Sequence, residues 1–176
     1  MKVIKLLAAV SIFLTVLGTA NAQTKPADLV KEWERAKAYT KEYLDAMPES
    51  GYTLKPTPDM RTFAQQMLHL TDVNYDFAAR AIGQKSPYVM GTFEKSADQS
   101  KATVTKAVLD GYDYVIAGIK TLTPEQLQER IILFGKFDLS KKEVFDKCFE
   151  HQGHQRSQTV AYLHLAGVKV PAEKLF

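Results

Sequence analysis

Between positions 151 and 158 the chain reads His151-Gln152-Gly153-His154-Gln155-Arg156-Ser157-Gln158, which sets two imidazoles, a guanidinium and three amides into an otherwise amphipathic helical pattern. A buried imidazole or amide without a partner costs about 1 to 3 kcal/mol, so a metal ion, a hydrogen-bond network or solvent must satisfy these groups. Two histidines at i and i+3 share a helix face and can reach one ion, as metal sites in helix bundles do. At about 100° per residue the seam of this helix is Val144, Cys148, His151, Gln155, Gln158 and Tyr162. Its first turns are apolar and its last are polar, which puts a polar pocket toward one end of an apolar structure. Spacing alone is equally compatible with a wet helix face, and both readings stay open here.

The other groups able to do chemistry read more plainly. Cys148 is the single cysteine, so an internal disulfide is excluded, and its place on the seam predicts a buried structural thiol rather than a nucleophile. Arg156 points away from the centre of the polar seam, toward an ion pair at the bundle edge or an anionic substrate at the pocket mouth. Gln158 is suited to supporting a ligand imidazole. His69 falls off the seam Phe63, Met67, Leu70, Phe77, and periodicity predicts a boundary histidine bonded to a carbonyl or to Asp72. His164 lies on an outer face, and Trp33 and the tyrosines at 39, 43, 75, 112 and 114 read mostly as packing.

Four long helical patterns must position these residues, and no segment shows convincing strand alternation. The first runs from about Ala27 to Met47 and is stopped by Pro48 and Gly51. Thr62 with Gln65 forms a capping box for the second, which ends near Gly83. The third starts near Ser100 and carries Val104, Ala107 or Val108, Tyr112 or Val115, and Ile119, with a short helical turn after Thr123-Pro124. Ser140 and Glu143 cap the last, expected to run to Gly167. The expected fold is therefore all-α, a four-helix bundle. The connection from Gly83 to about Asp98 is long enough to cross the bundle rather than turn.

Residues 1–22 read as a secretory signal peptide: Lys2 and Lys5, an apolar stretch Leu6 to Leu17, and Ala20-Asn21-Ala22 as a cleavage signal. Cleavage after Ala22 predicts a periplasmic or secreted chain, residues 23–176 forming one domain with no stable membrane anchor after processing. Without Lys2 and Lys5 the formal charge falls from +3 to +1, and no basic stripe interleaved with aromatics remains. That balance argues against nucleic acid as a partner, and a small molecule is the expected one; a homodimer is a compatible assembly.

The run from His151 to Gln158, continued by Thr159-Val160-Ala161-Tyr162-Leu163, Gly167 and Pro171, resembles the last helix of the DinB family, the DinB/YfiT-like metalloenzymes. The stretch Met60-Arg61-Thr62-Phe63 through His69 to Phe77 is similar to the family's second helix with its lone histidine, and the resemblance extends over essentially the whole mature chain. It implies a divalent metal, zinc or nickel, held by one histidine from helix two and two from helix four. His69 and His151 take the first two places. In the third place, immediately before Arg156, stands Gln155; His154 matches a neighbour of the ligand. His154 swinging in, Gln155 binding through its carbonyl oxygen, and water are the three ways to complete the set, and angular position favours Gln155, about 40° from His151 against about 60° for His154. The resemblance further implies a thiol S-transferase-like or hydrolytic enzyme; the alternative is a non-catalytic bundle that binds a small ligand or metal.

Overall fold

The computed structural model describes residues 24–176, so the expected signal peptide and its cleavage site lie outside the described residues. Four long helices form the bundle: α1 (Pro26–Ala46), α2 (Phe63–Ala81), α3 (Lys101–Lys120) and, after the short α4 (Pro124–Gln128), α5 (Lys141–Gln158). The capping boxes at Thr62/Gln65, Thr123/Gln126 and Ser140/Glu143 all form, each joining a hydroxyl to the N3 amide and a returning side chain to the cap amide. The apolar seams of the four helices meet in one core that includes Trp33, Leu44, Phe63, Met67, Tyr112 and Phe145. No helix among the described residues is long and apolar enough to cross a membrane.

Contacts between helices give their directions. Thr40 meets Tyr112 and Lys37 meets Asp113, while Lys101 reaches back to Asp45, so α1 and α3 are antiparallel. A Cβ on Gly111 would touch Thr71 at 3.2 Å and one on Gly118 would touch Ile82 at 3.3 Å, so α2 and α3 approach closely and run parallel. Their connection therefore has to travel back along the length of α2, as expected from its length. It does so through Tyr88 and Phe93, which pack on Tyr75, and Glu94 beyond them. Helix α5 is antiparallel to α2, with Cys148 beside Asn74 and Tyr162 beside Phe63.

Two expectations need correction. The segment before α5 is a β-hairpin, β1 (Arg130–Leu133) paired antiparallel with β2 (Phe137–Ser140). Its turn holds Phe134 at φ 54° and Gly135 at φ 69°, a primed turn written with Phe-Gly instead of the usual Asn-Gly, which hid the hairpin signal. The strained Phe134 is held by Phe77, 5.5 Å away, and by the Arg80 guanidinium 4.8 Å above its ring. The last helix is also not continuous to Gly167. At the buried Thr159 the side-chain hydroxyl donates to the Arg156 carbonyl at 2.7 Å, competing with the helical ladder, and α5 ends there before the short α6 (Val160–Leu165).

Candidate functional site

The polar end of α5 has two faces, and each meets a different neighbour. On the face toward α2, His151 stands against His69 with ring centroids 5.4 Å apart and planes at 64°. His69 is half-buried, and its Nδ1 lies 3.0 Å from Glu94 Oε2, a residue carried by the α2–α3 connection. Glu94 also accepts from Arg61 Nε at 2.7 Å. The buried Asp72, one turn beyond His69, accepts from the backbone amides of Phe93 at 3.1 Å and Glu94 at 2.9 Å and so pins that part of the connection to α2. His69 is thus a boundary histidine as periodicity indicated, but its partner is Glu94 rather than a carbonyl or Asp72.

Gln155 is buried beside His151 and engaged at both ends. Its amide nitrogen lies 3.0 Å from His151 Nε2, and its oxygen accepts from the Gln66 amide. Gln66 also donates to Gln158 Oε1 at 2.7 Å, and Gln158 Nε2 lies 2.6 Å from His154 Nε2. A chain of amides therefore links His151 to His154. An amide N–H can only donate, so the neutral His151 ring accepts at Nε2 and carries its proton on Nδ1, which is buried and has no partner. The second buried polar atom without a partner among the described residues is Nδ2 of Asn74, whose oxygen accepts from the Cys148 thiol at 3.5 Å. His154 is exposed and does not join the pair; it lies on the rim of an open groove of about 380 Å³ lined by Phe77, Lys147, Glu150, His151 and His154. His164 is exposed. A larger hollow of about 590 Å³, walled by Arg80, Lys85, Tyr88 and Met90, contains neither imidazole.

The electrostatics follow the burial. Desolvation, reinforced by the nearby His69, His154 and Arg61, pushes the His151 pKa down to about 4. Burial works against the charge on Glu94, but Arg61 and His69 outweigh it and hold the carboxyl below its usual range. Burial drives the Cys148 thiol far up, as befits the structural role read from its position.

On the other face of α5 the polar groups turn toward α1 and α3. Gln152 Oε1 accepts from Tyr112 OH at 2.7 Å and from Arg156 Nη1 at 2.9 Å, and Thr40 joins both Tyr112 and Arg156. The Arg156 guanidinium stacks 4.3 Å above the Tyr39 ring. Neither expectation for Arg156 holds: among the described residues it makes no ion pair, and it faces α1 rather than the groove. Half-buried against an aromatic ring and two neutral oxygens, the guanidinium is held by stacking and hydrogen bonds instead.

The sequence pattern of the DinB superfamily matches residues 32–159, most of the chain. The chain belongs to the DinB superfamily. Solved DinB-like proteins share its fold: one from Bacillus cereus superposes with a TM-score of 0.73 at 16% identity, covering 86% of this chain and 99% of that one. Another, from Bacillus subtilis, gives 0.64 at 15% identity, covering 82% and 96%. No curated protein matches the sequence. The DinB superfamily is often metal-associated.

The residues here meet only part of what a metal ion requires. Two imidazoles on one tetrahedral ion at an N–metal distance of about 2.0 to 2.1 Å have centroids about 5 Å apart, close to the 5.4 Å between His69 and His151. Gln155 adds an amide, a weaker ligand than imidazole for zinc-like ions. Among the described residues no three His, Cys, Asp or Glu side chains converge into a complete cage. Gln66 and Glu94 were missed by sequence reasoning. Gln66 sits one turn before His69 on the same side of α2 and was within reach of periodicity, whereas Glu94 arrives on a loop and had no local signal.

Proposed function

We propose that this chain is an exported DinB-like protein in which His69 and His151 bind a divalent cation, zinc or nickel, at the α2–α5 seam beside an open groove. The observation that carries the reading is the pair of imidazoles from facing helices at 5.4 Å, one of them backed by a carboxylate. A divalent cation there would lower the pKa of a bound thiol or water, the chemistry of a thiol S-transferase-like or hydrolytic enzyme. The chain's own residues supply the rest. His69 and His151 would give one ring nitrogen each, Gln155 would complete the set once its amide rotated away from His151 and Gln66 to bring the carbonyl oxygen inward, and Phe77 gives the groove an apolar wall for a small-molecule substrate. His154, at the rim, stands where it could exchange a proton with a ligand in the groove.

A second reading, a non-catalytic small-ligand-binding bundle, is favoured by one observation: the Gln155 amide already occupies the Nε2 lone pair of His151. Zinc titration of the untagged protein separates the two. With zinc at a hundred times its Kd, the wild type gains about 2.7 kcal/mol of stability. His69→Ala and His151→Ala lose that gain while behaving like wild type in chelator. Equal losses with and without chelator would remove the metal reading. Export is tested by intact mass, which should give a chain beginning at Gln23; a secreted species retaining Lys2 and Lys5 would refute it.

A further inference from the structure

The α2–α3 connection does more than return the chain along α2. Asp72 holds it through two backbone amides at 2.9 and 3.1 Å, and the residue fixed by that clamp, Glu94, lies 3.0 Å from His69 Nδ1. A carboxylate ion-paired to Arg61 has no proton to donate. The nitrogen facing it must therefore carry one, and in the neutral ring the lone pair is then on Nε2.

We propose that Glu94 is a positioning residue: it fixes the Nδ1–H tautomer of His69 and so commits the Nε2 lone pair to the α2–α5 seam. The role rests on His69 being a ligand, and it explains why an exposed, structureless stretch is fastened at one buried carboxylate. Arg61 and Asp72 divide the fastening, Arg61 keeping the Glu94 carboxylate turned toward His69 and Asp72 keeping its backbone in place. An outer carboxylate of this kind typically changes metal affinity by about ten- to hundredfold when it is removed.

The test reads the tautomer directly, by correlating ring nitrogens with ring protons in ¹⁵N-labelled, metal-free protein at a pH where the histidines are neutral. Wild-type His69 should show a protonated Nδ1 and a lone-pair Nε2. Glu94→Leu should lose that preference, and Glu94→Gln, which keeps an oxygen acceptor, should restore most of it. Zinc affinity should fall about ten- to hundredfold in the leucine variant and much less in the glutamine variant. A wild-type His69 protonated on Nε2 would overturn the proposal even if the leucine variant does not fold, and so would a tautomer unchanged by Glu94→Leu. If the tautomer shifts as expected but the wild type binds no zinc, the metal reading fails and the positioning role falls with it, leaving only the hydrogen-bonded tautomer of His69.

Discussion

Two polar clusters grow from the same turns of α5 and end differently. Toward α1 and α3, Gln152 and Arg156 meet Thr40, Tyr112 and Tyr39, and their polar atoms find short, complementary partners behind aromatic rings. Toward α2, His151 and Gln155 meet His69 and Gln66 beside an open groove, and a ring nitrogen is left without a partner. Satisfied networks specify a fold, while a half-satisfied one carries a cost that needs a reason. The contrast fits architecture for the first cluster and the proposed ligand binding for the second, and each reading can be broken separately.

The largest effect is expected in the sealed cluster. Gln152→Ala removes the acceptor shared by Tyr112 and Arg156 and leaves Thr40 as the hydrogen-bond partner of both. Stability in urea should drop by about 2 to 3 kcal/mol, the upper range for losing hydrogen bonds that include one to a charged group, with zinc affinity unchanged. A loss below about 1 kcal/mol would mean that this cluster is not architectural.

The next effect belongs to the open cluster and to pH. The folded His151 titrates near 4 and the unfolded ring near its ordinary 6.5, so across that window the unfolded chain binds more protons. Stability in chelator should therefore be constant above pH 6.5 and fall as pH drops toward 4. Solvent screening of a half-buried ring reduces the loss to roughly 1 to 2 kcal/mol. His151→Gln should flatten that slope; an equal slope in the variant would assign the pH dependence elsewhere.

Gln155→His sharpens the comparison by restoring a third imidazole on the α2 side. Zinc binding should tighten about tenfold or more, equivalent to about 1.4 kcal/mol, as read by isothermal titration. His154→Ala should change affinity and stability by less than about 0.5 kcal/mol, because among the described residues this exposed ring bonds only to Gln158. The inverse pattern, with His154→Ala abolishing binding and Gln155→His adding nothing, would identify His154 as the third ligand.

The helices were legible because their signals are local. Thr62, Thr123 and Ser140 stand three residues before the glutamines or glutamate that complete their caps, and Trp33, Met67, Val108 and Cys148 recur with helical period. What remained hidden depends on conformations or partners that spacing does not encode. Phe134 takes a left-handed turn position usually given to asparagine. Thr159 interrupts a helix through its own hydroxyl. Gln152, fully buried, was read as part of the polar run and not as the shared acceptor it is. In the site itself, His151 and Gln155 could be placed from one helix, but the acid beside His69 came from a segment with no periodicity at all.

The clamp at Asp72 also keeps half of the site short in sequence. Arg61, His69, Asp72 and Glu94 lie within one contiguous stretch, with contacts spanning 22 to 33 residues, whereas Gln66 meets Gln155 across 89. Loop closure costs more entropy as the loop lengthens, and long-range pairings form late. The acidic half of the site therefore closes at a lower entropic cost than the amide half, and none of its own contacts draws on α5.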